Sequence, residues 1–421
     1  MKKILSVFFI MLLFLLCAGT VLAADITYTV KAGDVLWKIG REHGVDYTVI
    51  AEKNKLENPH LIFVGQKLII PGQKVSAPPA PAPAPKPAPA PKPAPAPSPT
   101  PVPAPESTEV TVTDVIGRVV TLDRPASKIL GTHNPSLNTG IVIGGGDKYI
   151  AGFGNKQMAN KLYDFVMDDY EGIVEIGKGK NINFETVVSL GKNNVAILPE
   201  RFQDLAEQFE NVGIQAVVAL PNSESFDTIK NSLTIVGKVL GEEDRAKQIN
   251  AFIDKNIAET KAIADKVETR PSVMFLGSSS PYSVATSSMI QTDIIEMAGG
   301  TNAVKGIDVK GDFADVNIEQ FIVWNPDIIW VPKYATYTVE SLLDDPKWSS
   351  IKAIKNKAVY LFPSELEPWD YPTASAVLGL RWGLYSLHPE LYSLNDLMQN
   401  ADEFYNMVYG TKFTAEQLGI K

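Results

Sequence analysis

The chain has 421 residues, 45% apolar and 21% charged, with 39 Lys and Arg against 48 Asp and Glu for a formal net charge of -9. That acidic balance argues against the basic face that nucleic-acid binding needs, and the length provides for two or more domains. A single cysteine, Cys17, and four histidines exclude a disulfide framework and His-rich metal spacings.

In chain order, Met1-Lys2-Lys3, an apolar run from Ile4 to Cys17 and the small residues to Ala24 have the order of a secretory signal, so residues 1–23 are expected to direct export to the cell wall or periplasm. Cys17 is an alternative lipidation site, although Leu16 departs from the small residue that such processing favours. No later run approaches the ~20 apolar residues of a spanning helix. Ile26 to Val30 alternates like a strand, Val35 to Glu42 and Tyr47 to Asn54 have helical spacing, and Lys67 to Ile70 forms a second strand ending at Pro71.

The segment 26–71, with Tyr28-Thr29-Val30-Lys31-Ala32-Gly33-Asp34 and Gly65-Gln66-Lys67-Leu68-Ile69-Ile70-Pro71 at its ends, resembles a LysM domain. The resemblance implies a βααβ unit that binds peptidoglycan or another N-acetylglucosamine glycan through Gly33, Asp34, Leu36, Asn58, Pro59 and Ile62. Trp37 and Ile39 are expected to be core. Residues 76–106 are almost only Pro and Ala with two lysines, a polyproline II spacer reaching roughly 90 Å.

Val110 to Leu122 reads as a hairpin turning at Ile116-Gly117-Arg118, after which strands and helices alternate, the pattern of parallel sheets covered by helices. Glu242 to Val267 lacks Gly and Pro and carries apolar residues at helical spacing, which predicts a single long helix. It separates a first lobe, 110–235, from a second, 271–421. Asn183-Phe184-Glu185 precedes the strand Val195 to Leu198 as Asn317-Ile318-Glu319 precedes Ile328 to Val331, so the two lobes echo each other.

There is no Gly-x-Ser-x-Gly elbow, no phosphate loop and no dinucleotide fingerprint in strand-to-helix order. The chain is expected not to be an enzyme. A paired-carboxylate wall hydrolase stays open, because any two of the 48 acids can converge.

Lys128-Ile129-Leu130, Gly145-Gly146-Asp147-Lys148-Tyr149-Ile150-Ala151-Gly152, Ile295-Glu296-Met297-Ala298-Gly299-Gly300-Thr301-Asn302, Asn325-Pro326-Asp327 and the two Asn-x-Glu starts give residues 110–421 a resemblance to the periplasmic binding proteins of ABC importers for ferric siderophores, haem and cobalamin. The resemblance implies two Rossmann-like lobes joined by one long helix, a ligand between them, and docking of Glu185 and Glu319 on a permease dimer. It places ligand contacts in the loops after the strands, where the candidates are His133, Asn134, Lys178, Lys180, Arg201, Tyr282, Tyr334, Trp369 and Tyr371. Lysines and arginine suit an anionic chelate, and Trp369 and Tyr371 suit a flat ring. With His133 and His388 as the only histidines of this domain, a chelated metal such as an Fe(III)-siderophore is expected rather than a bare ion. His133 is the one candidate for direct coordination, and no cofactor is expected. Cobalamin, haem, a nickel chelate, or a wall-binding adhesion role are the alternatives for a chain expected to be monomeric.

Overall fold

The computed structural model describes residues 25–31, 36, 39–40, 43, 45, 47–56, 65–71, 109–156, 160–307, 309, 311–363 and 365–420. They divide into two compact units, one on either side of residue 101. The expected signal, the spacer, and Gly33, Asp34, Trp37, Asn58, Pro59 and Ile62 lie outside the described residues.

In the first unit β1 (Ile26–Thr29) pairs antiparallel with β2 (Lys67–Ile70), Ile26 opposite Ile70. β2 buries Leu68 and Ile70 and turns Lys67 and Ile69 outward, the two-residue period of a half-covered strand. Helix α1 (Tyr47–Lys53) sets Ile50 and Ala51 against them. Just beyond α1, the Asn54 amide donates to the Ile69 carbonyl at 2.8 Å and accepts from its N–H at 2.7 Å. A side chain thereby stands in for a neighbouring strand. Leu36, 2% exposed, belongs to this core, which corrects its expected place in the glycan groove: so small a unit has few apolar side chains with which to build an interior.

The second unit opens with the hairpin β3 (Val110–Thr113) and β4 (Val119–Leu122), turned at Gly117. Strands β5 (Lys128–Gly131), β6 (Ile150–Phe153), β7 (Val174–Glu175), β10 (Asn194–Pro199) and β11 (Gln215–Leu220) form a parallel sheet in the order β11-β10-β5-β6-β7. A two-residue hairpin, β8 (Gly177–Lys178) with β9 (Asn181–Ile182), stands after β7. β10 is buried at all of its positions, as a strand covered on both faces must be. The covering helices include α2 (Asn134–Gly144), α3 (Phe184–Ser189) and α4 (Leu205–Asn211).

Helix α5 (Phe226–Leu240) follows, an element not expected above, with Phe226, Ile229, Leu233, Val236 and Leu240 buried at helical spacing. It starts at Ser225 with a reciprocal cap to Thr228 and stops at Gly241 in the left-handed region. The long helix α6 runs Glu243–Ala264, shorter than the expected 242–267 because its last turn tightens, Lys266 and Val267 N–H donating to Ile263 and Ala264 three residues back. Its 22 residues span about 33 Å. Ile249, Phe252 and Ile253 bury its inner face.

The second lobe holds β12 (Ser272–Phe275), β13 (Ser283–Val284), α7 (Ile290–Met297), β14 (Thr301–Asn302), β15 (Ala314–Asp315), α8 (Ile318–Trp324), β16 (Ile328–Pro332) and β17 (Val359–Phe362). The parallel sheet has the order β14-β12-β16-β17, with β13 and β15 paired apart. Helices α9 (Ala376–Leu387) and α10 (Leu394–Tyr409) close the chain against α6 and α2.

The lobes are also joined by backbone. The Glu224 N–H donates to the Ser288 carbonyl at 2.8 Å, Leu162 N–H to Leu366 O at 3.0 Å, and Phe226 N–H to the Asp293 carboxylate at 3.3 Å. Gly311, with φ of +68°, passes so near the first lobe that a Cβ would sit 2.1 Å from the Asn222 oxygen. Only glycine allows that approach.

Candidate ligand-binding cleft

In an open parallel sheet the loops at the strand carboxyl ends converge on one edge. Here both sheets aim those ends at a single cleft of about 370 Å³. From the first lobe come Thr132 to Pro135 after β5, Asn155 after β6, Lys178 and Gly179 in the β8–β9 hairpin, Arg201 and Phe202 after β10, and Glu224 after β11. The second lobe supplies Met289, Gln291, Asp312, Phe313, Tyr334 and the run Asp370-Tyr371-Pro372.

His133 ends the β5 loop and is half-buried. Its Nδ1 meets Ser136 Oγ at 3.1 Å and its Nε2 faces the Arg201 guanidinium. A guanidinium only donates, so Nε2 is the acceptor and Nδ1 carries the hydrogen. Burial, and then the charge of Arg201, push the imidazole down to about 3. The ring is neutral, and the lone pair a metal would take is engaged by Arg201. Arg201 also lies 5.7 Å from the Phe202 ring.

Thr132 donates to the Gly179 carbonyl at 2.6 Å and fixes the hairpin tip. Gly179 has φ of +58°, and the turn there sends the flanking lysines apart. Lys178 lines the cleft and forms no ion pair among the described residues. Lys180 turns out to Asp204 at 2.8 Å, a correction to its expected role.

On the opposite wall Tyr334 donates to the buried carboxylate of Asp370, and its ring meets Tyr371 edge-on at 5.6 Å. Burial and the Asp370 charge push the Tyr334 hydroxyl well up, and burial raises Tyr371 to about 12; both are protonated donors. Glu224 accepts from the Ile290 N–H at 3.3 Å, at the start of α7. Burial is the main reason its carboxyl rises to about 7, with Asp370 and Asp312 adding to it against Ile290 and Arg201.

Two further expectations are corrected. Trp369 is 1% exposed and donates to the Tyr405 hydroxyl at 3.0 Å, which in turn donates to the buried Glu367 at 2.9 Å. The prolines around Trp369 set the backbone turns, not the direction of its side chain, and the indole packs inward beneath α10. Tyr282 packs on Trp348 at 5.6 Å and Phe321 at 6.4 Å within the second-lobe core. Glu365, four residues before Trp369, is held by Lys161 and Lys333 away from the cleft lining. His133, Asn134, Lys178, Arg201, Tyr334 and Tyr371 do line it, together with Glu224, Gln291 and Asp312, which had no motif to mark them.

Away from the cleft, Asn183 and Asn317 cap α3 and α8, accepting from Thr186 at 3.1 Å and Gln320 at 2.9 Å. Each helix buries the residue two after its glutamate, Val187 or Phe321, and leaves Glu185 or Glu319 exposed.

Residues 136–366 match the family model described as periplasmic binding protein, and residues 28–71 match the LysM domain. The molybdate-binding protein MolA of Haemophilus influenzae is 23% identical over 72% of this chain and 91% of its own length. Its structure bound to molybdate aligns with a TM-score of 0.64 at 21% identity, covering 72% of this chain and 99% of that one. The Fe(3+)-citrate-binding protein YfmC of Bacillus subtilis is 28% identical over 61% of this chain and 76% of its own. A periplasmic solute binding protein of Veillonella parvula aligns with a TM-score of 0.63 at 24% identity, over 74% of this chain and 96% of that one. Two parallel-sheet lobes on one long helix, with a cleft at their strand ends, agree with that match: the chain belongs to the periplasmic binding protein family and carries a LysM domain ahead of it.

Proposed function

We propose that this chain is the wall-attached substrate-binding protein of an ABC importer, taking an anionic metal chelate, a ferric siderophore foremost, between its lobes and delivering it to the permease. The observation that carries this reading is the placing of Lys178 and Arg201 in a cleft whose one imidazole is engaged by Arg201. Such a cleft attracts oxygen-rich anions and offers little to a naked cation. The ligands named for the two relatives, molybdate and Fe(3+)-citrate, are oxygen-rich anions as well. Exposed Glu185 and Glu319, one at an equivalent helix start in each lobe, suit a two-fold permease that presents one basic pocket to each. The LysM domain supports retention on peptidoglycan.

The visible absorption spectrum of protein purified from its native host tests this. A ferric hydroxamate or catecholate band is expected in the parent and absent from Arg201→Ala; haem, corrinoid or nickel-chelate bands would move the ligand within the same fold. A colourless parent that retains bare metal ions stoichiometrically would contradict the reading.

A further inference from the structure

The cations of the cleft stand on one wall, beside the Glu224 carboxyl of the same lobe. Both cations that line it, Lys178 and Arg201, come from the first lobe. The second lobe supplies no lining cation among the described residues; it supplies Asp312, Asp370 and the amide of Gln291. Asp370 is taken up by Tyr334, whereas Asp312 is exposed.

Gln291 is the most informative of these. It is 3% exposed, and its Nε2 donates to the Asp370 carbonyl at 2.8 Å. That bond fixes which end of the amide is nitrogen, since an oxygen facing a carbonyl would be repelled. Its Oε1 is a buried acceptor without a hydrogen-bond partner among the described residues. A buried acceptor left unmet is unfavourable, so a ligand donor that reaches it recovers that loss. An ion with acceptor oxygens on every side would meet Lys178 and Arg201 well, and would bring its far side against Gln291 and Asp312, where like meets like.

Resting on the reading of the cleft as an anionic-chelate site, we propose that its ligand is bipolar. One edge of the chelate bears carboxylate or similar anionic oxygens toward Lys178 and Arg201. The other edge bears N–H or O–H donors toward Gln291 and Asp312.

The test is calorimetric titration of the full exported chain with three probes: the Ni(II) bis-histidine complex, which has both carboxylates and N–H donors, the Fe(III) citrate complex, and molybdate. The histidine complex is expected to bind about tenfold or more tighter than molybdate. Gln291→Met is expected to weaken the histidine complex by about tenfold and molybdate by less than about twofold. Asp312→Asn separates charge from packing, weakening the histidine complex while strengthening molybdate. Equal binding of the three probes, or equal effects of Gln291→Met on all, would overturn the bipolar ligand while leaving the anionic site intact. Binding of none of the three overturns the bipolar ligand, while a ferric siderophore titrated alongside tests the functional reading by itself.

Discussion

The direction of a side chain is settled by what can be buried and bonded nearby, whichever loop carries it. For Trp369 that is a chain of donors ending on Glu367, a carboxyl 2% exposed. Burial raises the Glu367 carboxyl from its ordinary 4.5 to about 7, against the hydrogen bonds from Tyr405, Ser375 and Asn138. With the folded value raised, the native state holds more protons than the unfolded chain between those limits, so stability is fullest below the unfolded value and is lost as pH rises through the folded one. Replacing Glu367 by Gln removes the ionisation and keeps an acceptor for Tyr405. Relative to the parent, Glu367→Gln is expected to gain on the order of 2 kcal/mol on going from about pH 5 to about pH 8, read from urea midpoints. An equal stability difference at both pH values would show that the carboxyl does not titrate there.

At the scale of elements, much of the fold is legible because each signal is local. The alternation of apolar strands and amphipathic helices marks a parallel α/β domain, and Asn183 and Asn317 mark two helix starts by the chemistry of capping, worth about 1 kcal/mol each. α5 is not among the expected elements although Phe226, Ile229, Leu233 and Val236 carry its period, and only Gly241 and Glu242 separate it from α6. The cleft is half legible. Strand ends direct attention to His133, Lys178 and Arg201, but Glu224 and Gln291 arrive through loops and helix starts of opposite lobes and meet only in three dimensions. The capped helices α3 and α8 carry their own prediction. Reversing both exposed glutamates, Glu185→Lys with Glu319→Lys, is expected to abolish uptake and leave chelate affinity within about twofold, since an interfacial charge partner is worth roughly 2–5 kcal/mol. Parallel assays of cellular uptake and of binding by the purified chain separate the two effects. Unimpaired uptake by the double variant would leave these glutamates as helix-start residues alone.

For the whole molecule, no helix among the described residues is long and apolar enough to cross a membrane. Attachment is proposed to rest with the LysM unit and capture with the two-lobed unit. Pull-down on purified peptidoglycan is expected to retain the parent and to lose a chain deleted for residues 26–71; equal retention of both would remove the anchoring role. Capture depends on a cleft already built by α6 and by the cross-lobe contacts of Glu224, Phe226 and Gly311, which spares the ligand much of the ordering cost of closure. The most direct measurement is calorimetric titration of the exported chain with a ferric siderophore and, separately, with uncomplexed metal ions, repeated on Lys178→Ala with Arg201→Ala. One chelate per chain is expected at submicromolar affinity, about -8 kcal/mol or better, weakened by about a hundredfold or more in the double variant, with far weaker binding of the free ions. Tight binding of a bare ion that is indifferent to the loss of both cations would contradict capture of an anionic chelate.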